Sequence, residues 1–188
     1  MSCCTLVMEL NRIIVLAGLL VNIKLSRMSP SRLPCDKQMI SKYVSDFSNL
    51  EKEAENCTNV SLVTKEVQLP MVAIKLAWRA KADHVKGKEI QCHLKVFLEA
   101  VHLAHMHQPK GCMTNLLTKF IQIINGLQLI LKNLIPQEET LQVVNMPSTT
   151  ESNWQVQKLF KRFSMLMQGK LTLFLRDLGK TLCKSHSR

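Results

Sequence analysis

From residue 39 onward the apolar side chains fall at three- and four-residue steps. Met39, Ile40, Tyr43, Val44, Phe47, Leu50 and Ala54 make one stripe, and Lys42, Ser45, Asp46, Asn49, Lys52 and Glu53 fill the other side. That spacing predicts an amphipathic helix. A second helix is predicted over residues 87–107, with Ile90, Leu94, Phe97, Leu98, Val101 and Ala104 inward. A third, over residues 113–134, is apolar around most of its circumference (Leu116, Leu117, Phe120, Ile121, Ile123, Ile124, Leu127, Ile130, Leu131), as a deeply buried helix is. The fourth is predicted to open on Ser152-Asn153-Trp154-Gln155, read as a capping box. It carries Val156, Leu159, Phe160, Phe163, Met167, Leu171, Phe174 and Leu178 on one side, and as one rod over residues 153–181 would be about 44 Å long.

The connections decide how these rods are arranged. About thirty residues, 56–86, separate the first two helices; Gln108-Pro109-Lys110-Gly111 alone joins the second to the third; residues 135–151, with Pro136 and Pro147, lead to the fourth. A short turn forces its helices antiparallel, whereas a long connection can run the length of a bundle and leave neighbours parallel. Long, short, long therefore predicts an all-α, long-chain four-helix bundle with up-up-down-down topology.

The cysteines fit that topology. Arg12 precedes the apolar run Ile13-Ile14-Val15-Leu16-Ala17-Gly18-Leu19-Leu20-Val21, and Ser29-Pro30-Ser31-Arg32-Leu33-Pro34 breaks the pattern after it. Nine apolar residues are too few to cross a bilayer, which needs about 20, but suit the core of a secretory signal peptide. Residues 1–28 are assigned to that peptide, with Met8 as its working start, and 29–188 to the folded domain. Secretion permits disulfides. Beyond the leader stand five cysteines, so two bridges and one free thiol are expected, with Cys92 as the free one inside the second helix. In the up-up-down-down arrangement the start of helix one and the end of helix four share one end of the bundle, so Cys35 pairs with Cys183, and Cys57 with Cys112. On a chain-entropy model the two bridges contribute about 5 and about 4 kcal/mol. Asn59-Val60-Ser61 is a glycosylation sequon, and Asn59 is the expected acceptor.

Composition narrows the function. Aromatic residues are 5% of the chain, so the core must be mainly aliphatic. The net charge is +11, or +9 once residues 1–28 are removed, which favours acidic partners. The bases are scattered over helix faces, with no zinc-finger spacing, basic-region zipper or aromatic RNA motif, so no nucleic-acid partner is expected. Nor is membrane insertion of the mature chain. There is no Gly-rich phosphate loop or nucleophile elbow, so no enzyme and no cofactor is expected. His102, His105 and His107 lack an accompanying carboxylate or thiolate, and no metal site is assigned to them. Trp78 reads as a loop anchor packing onto the core.

Several stretches together resemble one family. Ser29-Pro30-Ser31-Arg32-Leu33-Pro34-Cys35-Asp36, the Ser41-Lys42 pair, Leu69-Pro70 with Trp78 downstream, and Phe163-Ser164-Met165-Leu166-Met167-Gln168-Gly169-Lys170-Leu171 followed by Leu182-Cys183 resemble the erythropoietin/thrombopoietin family of four-helix cytokines. Erythropoietins typically place two cysteines close together after helix one; thrombopoietins have one there and another just after helix two, as Cys57 and Cys112 stand here. The chain thus resembles the thrombopoietin branch, in a form expected of a non-mammalian vertebrate. The resemblance implies a secreted glycoprotein hormone that brings together two copies of a class I cytokine receptor of thrombopoietin-receptor type, through two different faces, and stimulates megakaryocytes or thrombocytes. It implies Lys170, in the Gly169-Lys170 pair, as first choice for the high-affinity face, with Asp36, Lys42 and Arg79 at charged family positions. Gln168, Gln38 and Ser45 depart from basic residues usual in the family. Without the resemblance Lys170 reads as a lysine snorkelling at the bundle edge. Two alternatives stand beside this reading: an erythropoietin-like cytokine, and a basic helical protein that binds sulfated glycans.

Overall fold

Asp36 sets the start of the first helix. Its carboxylate accepts hydrogen bonds from the backbone N–H groups of Gln38 (2.9 Å) and Met39 (3.1 Å), satisfying donors that a helix start leaves unpaired. The helix, α1, spans Lys37–Glu55. Residues 34–58, 60–135 and 148–183 are described in the computed structural model; the assigned signal peptide and Asn59 lie outside them. After α1 come a short strand β1 (Val67–Pro70), a single-turn helix α2 (Leu76–Arg79), and the long helices α3 (Asp83–His107) and α4 (Cys112–Leu134). Strand β2 (Ser148–Glu151), helix α5 (Gln157–Leu166), a π-helical turn (Met167–Leu171) and α6 (Thr172–Leu182) complete the chain.

The four long rods are α1, α3, α4 and the α5–α6 column. Cys35 is bonded to Cys183 and Cys57 to Cys112, with Cα atoms 5.7 and 5.8 Å apart, and Cys92 is the free thiol among the described cysteines. The first bridge puts the start of α1 beside the end of α6. The second puts the end of α1 beside the start of α4. With the tight turn between α3 and α4, those constraints give up-up-down-down. Near the first bridge α6 passes so close to the chain's N-terminal arm that a Cβ on Gly179 would collide with the Pro34 carbonyl oxygen.

One aromatic hub takes a ring from every rod. Phe47 of α1, Phe97 of α3, Phe120 of α4, and Phe160 and Phe163 of α5 are all fully buried. Ring centroids lie 4.7 Å apart for Phe47 and Phe163, 4.8 Å for Phe120 and Phe163, and 5.2 Å for Phe97 and Phe163, with the last pair edge to face. The hub draws five of nine aromatic residues into one place, so a chain poor in aromatics still gains their pair geometry at its centre.

The two long connections depart from the expectation of plain loops. β1 and β2 pair antiparallel, from Val67 opposite Glu151 to Pro70 opposite Ser148, and Val63 bridges Trp154 next to them. Arg162 of α5 clamps this ladder by donating to Glu151 and, at 2.7 Å, to the Thr149 hydroxyl. The expected capping box at Ser152 does not form, because Trp154 is held by the bridge to Val63 and the helix is capped at Val156 without a side-chain hydrogen bond. Trp154 is buried there, its indole N–H donating to the Lys65 carbonyl at 3.1 Å, Asn153 takes a positive φ of 50°, and the helix begins only at Gln157. Nor is the fourth rod one uniform α-helix. It widens to a π turn over Met167–Leu171, where the Thr172 hydroxyl donates to the Met167 carbonyl at 2.6 Å.

Candidate functional site

The π turn points Lys170 inward. Its side chain is among the most buried charged ones of the described residues, with the residue 4% exposed. The ammonium donates to Oε1 of Glu89 on α3 at 2.8 Å and to the Met71 carbonyl at 3.3 Å, and lies 5.7 Å from the centre of the Trp78 ring. Glu89 takes a second lysine on its other oxygen, Lys81 at 2.6 Å. Lys86, also buried, sits 5.8 Å from the same indole and reaches Asp83 (3.3 Å) and Asp177 (3.6 Å). A carboxylate, three lysines and a tryptophan thus join the connection between β1 and α3 to α3 itself and to the last rod.

The electrostatics follow from that count. Burial pushes the Glu89 carboxyl up, but hydrogen bonds and charge from Lys170 and Lys81 together outweigh it, and the group ends below its ordinary value. His93, one turn along α3, is pushed down from 6.5 to about 4, first by burial, then by the charge of Lys170; Glu89 opposes that shift and Lys81 adds to it. At the margin Asp177 is lowered, chiefly by its hydrogen bond from Lys180.

Of the five site residues expected from the sequence, this region unites three, beside the expected loop anchor Trp78. Gly169 lets the 71–81 connection approach: a Cβ there would stand 3.2 Å from Cδ1 of Ile74. Lys170 anchors the connection from below, so its ammonium is turned away from solvent, not towards it. Arg79 is exposed at the end of α2, next to buried Trp78. Asp36 is half-buried at the bridged end of the bundle, where it caps α1, and Lys42 is exposed on α1. His105 meets the Thr118 hydroxyl (3.2 Å) and His107 the Leu103 carbonyl (2.8 Å); no metal-binding cluster occurs among the described residues.

Sequence reasoning missed Glu89, His93 and Lys86. Yet they sit in phase with the inward stripe of α3, at the same three- and four-residue steps as Ile90, Leu94 and Phe97. That phase was the available signal.

Two open grooves flank α1. One, of about 400 Å³ against the last rod, sets uncharged polar groups and one lysine beside apolar ones: Ser41, Ser45, Ser48, Asn49 and Lys52 face Gln168 and Thr172, with Ile40 and Val44 also in its wall. The other, of about 420 Å³ against α4, combines charge with an apolar floor: Tyr43, Asp46, Leu50 and Glu53 face Lys119 and Ile123, with Gly126 opening the middle. Such surfaces suit recognition by another protein; neither is a closed cavity that would enclose a small substrate.

Comparison with known proteins agrees. A family model described as erythropoietin/thrombopoietin matches residues 32–186. The chain is 27% identical to thrombopoietin of Mus musculus over 177 residues, covering 94% of this chain and 48% of that protein. To thrombopoietin of Rattus norvegicus it is 26% identical over 181 residues, covering 94% and 53%. To erythropoietin of Sus scrofa it is 23% identical over 176 residues, covering 87% and 91%. It therefore spans about half the length of the thrombopoietins it matches.

Proposed function

The chain belongs to the erythropoietin/thrombopoietin family, and from that premise we propose that it is a secreted hormone that joins two copies of a class I cytokine receptor, of thrombopoietin-receptor type, on megakaryocytes or thrombocytes. The observation that carries this reading is the pair of unlike grooves sharing α1. A monomer without twofold symmetry can gather two identical receptors only through two different surfaces, and α1 contributes to both. The high-affinity face is assigned to α1, the last rod and the 71–81 connection, with Lys42, Arg79 and Gly169 at its surface and Lys170 holding it from beneath. Asp36 lies near one end of that face. The low-affinity face is assigned to the α1–α4 groove. A basic exterior steers the hormone to acidic receptor loops.

The thrombopoietin assignment is supported by Cys57–Cys112, which uses a single cysteine after the first helix and one at the start of α4. Secretion is supported by the two disulfides and the leader-like segment; among the described residues no helix is long and apolar enough to cross a membrane. Glycosylation at Asn59 belongs to the same reading.

Reporter cells expressing either the thrombopoietin or the erythropoietin receptor test the assignment. Activation through the first at low concentration is expected. Activation through the second alone would transfer the chain to the erythropoietin branch, and salt-sensitive retention on sulfated glycans without any reporter response would replace the hormone reading with glycan binding. Charge reversal at Arg79 or Lys42 is expected to weaken receptor titration at least tenfold while leaving the helical signal unchanged.

A further inference from the structure

His93 is the one buried imidazole among the described residues, 1% exposed on the inner side of α3. Its Nε2 lies 4.0 Å from Oε1 of Glu89, and its Nδ1 has no hydrogen-bond partner. Three charged groups act on it: Glu89 from its own helix, Lys170 from the π turn and Lys81 from the segment between α2 and α3. Glu89 is already committed, with Lys81 on one oxygen at 2.6 Å and Lys170 on the other at 2.8 Å. A proton on His93 adds another cation to a site with one carboxylate and little water to screen it. The strain can be relieved where the site is held by few bonds. That place is the 71–81 connection, fixed by the Lys170 contact with the Met71 carbonyl, the Lys81–Glu89 pair and the seat of Trp78 among the lysines.

We infer that His93 makes the docking of residues 71–81 onto the bundle sensitive to acid, so that opening of the connection is more frequent in an acidified compartment than at the pH of plasma. The sign follows from proton linkage. Opened to water, the imidazole regains an ordinary value of 6.5; closed, it stands at about 4. Acid therefore favours the open form, and above the ordinary value the ring is neutral in both forms and exerts no pull. The opening equilibrium rises about tenfold between about pH 7.4 and about pH 5.5. Where the protein meets its receptor this supplies a release mechanism, because the opened segment is the one that bears Arg79; that consequence, unlike the opening itself, rests on the proposed receptor face.

Amide hydrogen exchange of the full disulfide-bonded chain, corrected for the intrinsic pH dependence of exchange, reads the opening directly. Residues 71–81 should lose protection about tenfold on acidification while exchanging faster than the aromatic hub at every pH, as a local opening requires, and His93→Leu should abolish the response. His93→Gln, which keeps a polar side chain without the titration, provides the same reading should the leucine variant misfold. No acid response in the parent, or an equal response in the variants, overturns the inference. Dissociation of soluble receptor, followed over the same pH range, separates the two claims. Faster release at low pH that disappears in the variants supports both; acid-induced exchange without faster release leaves the device standing and removes the receptor face from this segment.

Discussion

The molecule holds two buried clusters of similar size and opposite chemistry. The phenylalanine hub at the meeting of the four rods is held by shape alone: five rings, none with a polar atom. The cluster around Glu89 is held by pairing, with a carboxylate shared between two lysines and an indole flanked by two. Burial alone does not set tolerance. Removing atoms from the hub forfeits contacts roughly in proportion to what is removed. Removing one partner from the charged cluster leaves another charge stranded, whereas removing both can be nearly neutral. The hub specifies that the rods pack, and the charged cluster specifies where the long connection lies upon them.

The largest effect is expected in the hub. Phe163 touches three other rings, and Phe163→Ala should destabilise the fold by about 4 kcal/mol, lowering the melting temperature by about 10 °C. Calorimetry of the bridged protein checks this. A loss under about 1 kcal/mol would mean that the hub collapses to fill the gap, and the contrast with the charged cluster would dissolve.

Glu89→Leu should cost about 3 kcal/mol, because Lys170 is then a buried cation without a counter-charge; Lys81, far more exposed, is rehydrated. Adding Lys170→Met should return most of that loss. The double-mutant cycle, run by urea unfolding, is the sharpest probe of the comparison. Additive losses would show that Glu89 and Lys170 act as independent packing groups.

A third measurement uses pH. His93 has a folded value of about 4 against an ordinary 6.5. Its neutral form is the one the fold accepts, so its contribution is fully present above the ordinary value and is lost as pH falls towards the folded one. Between about pH 7.5 and about pH 5 the loss is about 2 kcal/mol. The unfolding free energy of the parent, from urea titration, should fall by that amount relative to His93→Leu over the same interval. Parallel curves would show that the imidazole finds water when protonated and that the site is less closed than its burial indicates.

The hub was legible in the sequence and the charged cluster was not, for a physical reason. Phe47, Phe97, Phe120 and Phe163 announce themselves by apolar periodicity, which reports burial directly. The same holds for the four rods, and the topology followed from connection lengths and cysteine positions. Glu89, His93 and Lys170 are polar letters in a helical pattern, and such letters ordinarily mark the wet face. Their burial depends on partners brought together across the fold, with 81 residues separating Lys170 from Glu89. The β1–β2 ladder was hidden for a related cause. Neither Val67-Gln68-Leu69-Pro70 nor Ser148-Thr149-Thr150-Glu151 is long or apolar enough to declare a strand, and each exists because the other lies opposite. The π turn left no mark in the periodicity, which runs through Met167 and Leu171 without a break.

Lys86 marks the boundary of the charged cluster and gives the smallest effect. It is nearly as buried as Lys170 and stands at almost the same distance from the Trp78 ring. If burial of the lysine set the penalty, the two would behave alike. Their partners differ, however. Glu89 is enclosed, while Asp83 and Asp177 each keep about a third of their side-chain surface in water. Lys86→Met retains the stem that packs on the indole and strands no charge, since both aspartates stay hydrated and Asp177 keeps Lys180 at 3.0 Å. The expected loss is under about 1 kcal/mol, in the range of surface ion pairs. A loss near that of Glu89→Leu would show that the cation over Trp78, not the buried carboxylate, holds the connection in place.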